Sequence, residues 1–405
     1  MQSVWFINHY ASTPSCGFGG RTYYFAKELQ KRGYETKLII SNPHHLLRKE
    51  IAQPSDMSEV EQDGVRLVVL KGLRYGSAHS LKRIFNWFWF NYRLRKLAKH
   101  YESSPPHYIF CSSPSIISTS GARYLAKKFN AKLIVDIRDI WPLTLVELAG
   151  KSKSHPLIKL LRKYELKAYR DADLLTSNLK GFSTYLEENG FQNKKFEWLP
   201  NGFDKTEYDD ASPVDEGDIF TVGYAGTFGL ANALFPLLEA ANLLKGDKAI
   251  KFVFVGEGRE AESMMSYCRE HGLNNVEFKD FVPKSEIQSV LKSFDVLTVG
   301  AQRSNLYRYG VSPNKLFDYF NAGKPIIYYI DSPGFHPIRE SGCGIEVPSG
   351  SSNDIAQAIL NLKRLSKEER ATMGAHGKAY AQKNFEYAAL TEKLDLMLQS
   401  LKSVD

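Results

Sequence analysis

Short apolar runs alternate with amphipathic stretches along most of the chain. Val4–Asn8 reads as a strand, Arg21–Arg32 as a helix stopped by Gly33, and Lys37–Ile40 as the next strand. Val65–Leu70, Tyr108–Cys111 and Lys132–Asp136 are further predicted strands, separated by helical or basic segments. Such alternation predicts a parallel sheet with helices on both faces. The texture changes near Leu199-Pro-Asn-Gly-Phe-Asp204, and the following Lys205 to Asp218 is acidic and turn-rich, as a linker would be. The alternation then restarts. Phe220–Tyr224, Lys251–Val255, Val276–Phe278, Val296–Val299 and Pro325–Ile330 read as strands, and Leu234–Leu244 and Glu260–His271 as helices.

At 405 residues the chain exceeds one typical core. The pattern predicts two doubly wound α/β domains, 1–203 and 204–383, facing each other across a cleft. The periodic helix Asn384–Ser400, within 384–405, is expected to pack back on one of them. The net charge of +8 points to an anionic partner, whether nucleotide, phospholipid surface or nucleic acid. Cys16, Cys111, Cys268 and Cys343 are widely spaced, show no metal-ligand pattern and read as reduced and buried. The N-terminus reads as a first strand and not a leader, and no apolar run approaches the roughly 20 residues that span a bilayer. The expected compartment is cytoplasmic, with any membrane contact peripheral.

Glycines cluster where predicted strands end. Cys16-Gly-Phe-Gly-Gly20 opens the first helix, Gly223-Tyr-Ala-Gly-Thr-Phe-Gly229 repeats that layout in the second half, and Val255-Gly-Glu-Gly258 follows a later strand. Glycine there lets backbone N–H groups approach a phosphate, though each loop alone is also ordinary turn chemistry. The most informative stretch runs from Tyr309 to Ile330. A polar loop leads into a short helix on which Lys315 and Asp318, three apart, share a face. That element offers N–H donors, a cation for a phosphate and an acceptor for a sugar hydroxyl. Arg138 and Asp139 follow an apolar strand, so they read either as acceptor-site groups or as a structural pair.

Gly64 to Tyr101 contains no acidic residue and surrounds an aromatic cluster with lysines and arginines. Trp87, Trp89, Phe90 and Arg93 are the predicted contacts with an anionic membrane surface; a helix packed in its own domain is the alternative. Nucleic acid is not the expected partner, because no recognised binding module is present. His44 and His45, adjacent in a loop, are expected to be exposed.

On the Gly17–Gly20 loop, Pro200-Asn-Gly-Phe-Asp204, the two later glycine loops and Ser312-Pro-Asn-Lys-Leu-Phe-Asp-Tyr-Phe-Asn-Ala-Gly-Lys-Pro-Ile, the chain resembles family-4 retaining glycosyltransferases of GT-B fold over nearly its full length. It is similar to the branch that builds bacterial O-antigen, lipopolysaccharide and capsule chains, including N-acetylaminosugar transferases. The resemblance implies a nucleotide diphosphate sugar, UDP-sugar favoured, as donor. Gly19, Gly20, Gly226, Thr227, Glu257, Arg308, Ser312, Asn314, Lys315, Leu316 and Asp318 would hold it. It also implies a polyprenyl-diphosphate-linked or oligosaccharide acceptor, with Lys315, Asp139 and Arg138 as catalytic groups and neither cofactor nor metal. The place would be the inner face of the cytoplasmic membrane. Four departures stand out. Asp318 replaces the family's ribose-binding glutamate, Gly310 replaces its earlier glutamate, and Phe228-Gly-Leu-Ala-Asn232 lacks the usual Arg/Lys pair, for which Lys315, with Arg308 or Arg303, is the candidate substitute. Arg138 stands where a histidine is common. Rival readings are a nucleotide-sugar epimerase and a basic protein that binds membranes or nucleic acid.

Overall fold

A computed structural model describes residues 1–17, 19–51, 55–75, 80–207, 217, 219–284 and 286–402. Most of the predicted acidic linker lies outside the described residues. The chain forms two compact units, Met1–Asn201 with Tyr387–Asp405, and Gly202–Glu386.

The first unit holds β1 (Ser3–Ile7), β2 (Glu35–Asn42), β3 (Met57–Gln62), β4 (Val65–Lys71), β5 (Tyr108–Ser112), β6 (Lys132–Ile137), β7 (Leu174–Ser177) and β8 (Phe196–Trp198). Their order is β3-β4-β2-β1-β5-β6-β7-β8, and every pairing is parallel except the β3–β4 hairpin. The second unit holds β9 (Phe220–Ala225), β10 (Ile250–Val255), β11 (Val276–Lys279), β12 (Val296–Gly300), β13 (Ile326–Tyr329) and β14 (Gly344–Glu346), in the order β11-β10-β9-β12-β13-β14. This is the Rossmann order, with its switch point between β9 and β12; the first sheet switches between β1 and β5. Ligands in such sheets bind beyond the carboxyl ends of the strands at the switch. Fully buried strands such as β1 and β12 read as continuous apolar runs, as strands covered on both faces must. β3 escapes that signal, because it is a charged edge strand with half-exposed positions.

Helix α1 (Arg21–Lys31) covers β1 and β2, and the helix Tyr387–Gln399 closes over it. Tyr24 stacks on Tyr387 at 4.5 Å, and Leu390, Leu394 and Leu398 join the core of the first unit. Tyr34 donates to Asp395 at 2.6 Å. The closing helix begins later than the sequence pattern predicts, because the helix Lys367–Phe385 runs on to Phe385 and Glu386 is extended. Phe203 N donates to Phe385 O at 3.1 Å, so the two points where the chain changes unit lie side by side.

Helix α2 (Leu81–His100) corrects the predicted membrane contacts. Trp87, Phe90 and Arg93 are buried. Trp87 donates its indole N–H to Tyr10 at 2.6 Å, Phe90 packs 4.5 Å from the His9 ring, and Arg93 pairs with Asp56 at 2.6 Å. Apolar bulk is removed from water here by the unit's own sheet, so these three groups are unavailable to a bilayer. Trp89 alone of the four keeps partial exposure. His44 is also buried, contrary to expectation. Its Nε2 lies 3.1 Å from Ala11 O and its Nδ1 accepts from Leu46 N, and burial lowers its pKa to about 4. Cys16, Cys111 and Cys343 are buried thiols, while Cys268 is partly exposed. Among the described residues no helix is long and apolar enough to cross a membrane.

Candidate functional site

In the second unit the glycine loops after β9 and β10 are stitched together by backbone hydrogen bonds. Gly226 N donates to Val255 O at 2.9 Å, Phe228 N to Glu257 O at 2.7 Å, and Glu260 N to Phe228 O at 3.0 Å. A Cβ on Gly256 would stand 2.1 Å from Gly226 O, so this approach requires glycine. The loops therefore hold a fixed backbone surface beyond the carboxyl ends of β9 and β10.

Lys315 opens the helix Lys315–Ala322 and turns its ammonium onto that surface. Its Nζ donates to Tyr224 Oη at 2.6 Å and to Asn232 Oδ1 at 2.8 Å, and lies 4.2 Å over the Tyr224 ring. A Cβ on Gly226 would be only 3.1 Å from Nζ. Tyr224 Oη and Asn232 Nδ2 both donate to Thr227 O at 2.9 Å, which orients the two acceptors. Among the described residues no carboxylate pairs with Lys315, and desolvation lowers its pKa to about 7. Burial without an opposite charge nearby disfavours the ammonium form. Asn232 closes the segment that lacks the expected basic pair, so Lys315 delivers its charge to that loop from another element.

Tyr319 anchors this helix, a role the sequence reading missed. Its hydroxyl accepts from Ala225 N at 2.8 Å and donates to Ala225 O at 3.0 Å, tying the helix to the end of β9. The available signal was its place one helical turn after Lys315. Leu316 is buried core, and Asp318 is half-buried in the first helical turn. Ser312 is half-buried, whereas Thr227, Glu257 and Asn314 are exposed. Arg308 is exposed, with its guanidinium against the Tyr309 ring and hydroxyl. Arg303 pairs with Asp331 at 3.3 Å. A cavity of about 200 Å³ at the β9/β12 switch is lined by Gly229, Leu230, Glu260, Gln302 and Arg303. A larger one of about 470 Å³ opens at the amino ends of the strands, beside Asp295 and Pro325, away from the ligand edge.

Gly19, Gly20, Arg138 and Asp139 belong to the first unit. Gly19 and Gly20 have positive φ and lead into α1, whose first residue, Arg21, is buried. Arg21 donates to Asp136 at 3.1 Å, to Leu199 O at 2.8 Å and to Asn201 at 3.0 Å. Asp136 also accepts from Ser112 at 2.7 Å and Thr176 at 3.0 Å. This buried network ties three strand ends to the Pro200-Asn-Gly stretch, and the sequence reading missed it because a buried Arg–Asp pair has no local signature. Arg138 N donates to Ser113 Oγ at 2.9 Å. Asp139 keeps solvent access, yet desolvation raises its carboxyl pKa while Arg138 opposes the rise.

Residues 17–202 match the family described as Glycosyl transferase 4-like domain, and residues 219–364 match Glycosyl transferases group 1. No curated protein sequence matches the chain. Among solved structures, sucrose-phosphate synthase from Thermosynechococcus elongatus is 15% identical, with 99% of each chain covered and a TM-score of 0.74. Anabaena HepE, in complex with UDP and glucose, is 15% identical, with 99% of this chain and 100% of that chain covered and a TM-score of 0.68. An E. coli structure described as trehalose-6-phosphate bound with UDP-2-fluoro glucose is 11% identical, with 99% and 100% covered and a TM-score of 0.71. With one glycosyltransferase domain matched in each unit and the shared architecture behind both, the chain belongs to the glycosyltransferases of GT-B fold.

Proposed function

We propose that the protein is a retaining glycosyltransferase that moves a hexosyl or N-acetylhexosaminyl group from a nucleotide diphosphate sugar to a hydroxyl of a lipid-linked or oligosaccharide acceptor. The carrying observation is the Lys315 ammonium, held on the Gly226 loop by Tyr224 and Asn232 and without a carboxylate partner among the described residues. The donor's bond from the anomeric carbon to the β-phosphate oxygen breaks, and a bond to the acceptor oxygen forms on the same face of the sugar. The acceptor's proton passes to the departing phosphate oxygen. Lys315 and the loop amides meet the charge that grows on the diphosphate, and fixed donors aimed at developing charge usually lower the barrier more than any other single effect. Asp318, on the same helical face, accepts from the ribose. The complexes of similar structures with UDP and UDP-glucose support a UDP-sugar donor. The acceptor side falls to the first unit, with Asp139 and Arg138 at its strand ends. The setting we propose is surface-polysaccharide assembly on the inner face of the cytoplasmic membrane.

A thermal-shift panel of UDP, GDP and ADP, followed by transfer assays with the matching nucleotide sugars, tests the proposal. UDP is expected to stabilise the protein most, and turnover is expected to need an acceptor. A nucleotide sugar converted without any acceptor would refute transfer in favour of epimerisation.

A further inference from the structure

We infer that the outward face of α2 is a docking surface for an anionic lipid bilayer. The inference deepens the proposed membrane-side placement, and its observations are independent of the donor site. One face of α2 is buried through Asn86, Phe90, Leu94 and Leu97. Lys82, Phe85, Trp89, Tyr92, Lys96 and Lys99 are spaced alternately three and four apart. At 3.6 residues per turn they fall in one stripe roughly 100° wide and about 25 Å long, opposite the buried face. Phe85 is 67% exposed and Tyr92 49%. Trp89 is partly exposed and fixed in orientation: its indole N–H donates to Lys71 O at 2.9 Å, and Arg93 lies 4.7 Å over its ring.

The ionised side chains on the stripe itself are all lysines. Lys82, Lys96 and Lys99 are exposed and pair with no carboxylate among the described residues. The neighbouring acids are already engaged, Asp56 by Arg93 at 2.6 Å and Glu59 by Lys37 at 3.6 Å. Three aromatic rings in line, flanked at both ends by lysines, suit a planar interface, where rings enter the headgroup layer and ammonium groups meet lipid phosphates. The observed pattern replaces Trp87 and Phe90, which face inward, with Phe85 and Tyr92, which face outward.

The test is co-sedimentation of the full chain with phosphatidylcholine vesicles, with and without phosphatidylglycerol, at low and high salt. Strong binding to the anionic vesicles, weakened by salt, is expected. K82Q/K96Q/K99Q should weaken it about a hundredfold. F85S/Y92S should weaken binding roughly tenfold or more. All five substituted positions are on the surface, and the UDP thermal shift is read on every variant. A preserved shift with lost vesicle binding supports the surface; lost shift in the parent protein with intact vesicle binding sinks the donor proposal and leaves the surface standing. Equal binding of the parent to neutral and anionic vesicles overturns the inference. So does undiminished binding by both variants, or displacement from vesicles by a single-stranded oligonucleotide at equal charge.

Discussion

Lys315→Met asks whether the desolvated ammonium is the anion-binding group. The pKa of Lys315 is lowered from 10.5 to about 7, so the unliganded protein carries a growing fraction of neutral amine above about pH 7. A diphosphate that requires the ammonium then takes up a proton as it binds. UDP affinity should fall by about tenfold per pH unit above that value, until the pKa of the complex is reached. The terminal phosphate of UDP has its own ionisation near 6 and its uracil N3–H loses a proton above about pH 9, so its charge is almost constant from about pH 7.5 to about 8.5, and the slope in that window belongs to the protein. Lys315→Met should remove this slope. Near neutral pH it should also lose the roughly 1.5–3 kcal/mol of a charge-assisted hydrogen bond, about 10–150-fold in Kd. The unliganded fold gives a second check. The unfolded chain binds the lysine proton up to the ordinary 10.5, so parent stability rises with pH between about 7 and 10.5, and the variant lacks that rise. Titration calorimetry across the window reads the binding, and denaturant melts read the stability. A parent UDP affinity that is flat with pH, or a slope that survives in Lys315→Met, would refute the reasoning.

Gly226→Ala places a methyl 3.1 Å from Lys315 Nζ on a backbone with φ of +146°. It should cost about 1–3 kcal/mol of stability and weaken UDP binding as it shifts the ammonium, both readable by thermal melts with and without UDP. Arg21→Met leaves Asp136 buried without its counterion and should destabilise the protein by about 3–5 kcal/mol in urea titrations, with partial recovery when Asp136→Asn is added. Phe90→Ala empties a site in the core of the first unit and should cost about 3–5 kcal/mol in the same titrations, while vesicle binding of the folded protein stays unchanged.

The central strands of both sheets were legible because they are buried on both faces and announce themselves as apolar runs, whereas the short strands β7, β8 and β14 were missed, three or four residues being too few to show a pattern. The place of Lys315 at the start of a short helix was legible for a different reason, because a polar loop precedes that helix and Gly323 ends it. What stayed hidden depended on partners distant in sequence. The side of α2 that faces the sheet is set by His9, Tyr10 and Asp56, none of which is in the helix, so its aromatic excess was assigned to the wrong face. Arg21 and Asp136 lie 115 positions apart, and neither carries a local mark of their pairing. β3 was missed because an edge strand with one wet side and alternating glutamates imitates a loop.

The helix Tyr387–Gln399 has a consequence for how the molecule is made. It supplies Tyr387, Leu390 and Leu394 to the core of a unit whose other residues end at Asn201. On a ribosome adding about 5–20 residues per second, the first half waits roughly 10–40 s for its last piece. During that interval the side of α1 bearing Tyr24 and Phe25 has no cover of its own, while the intervening unit is still being made, its last strand ending at Glu346. A nascent chain stalled before residue 387 should therefore present a sticky first half, the kind of surface that chaperones hold.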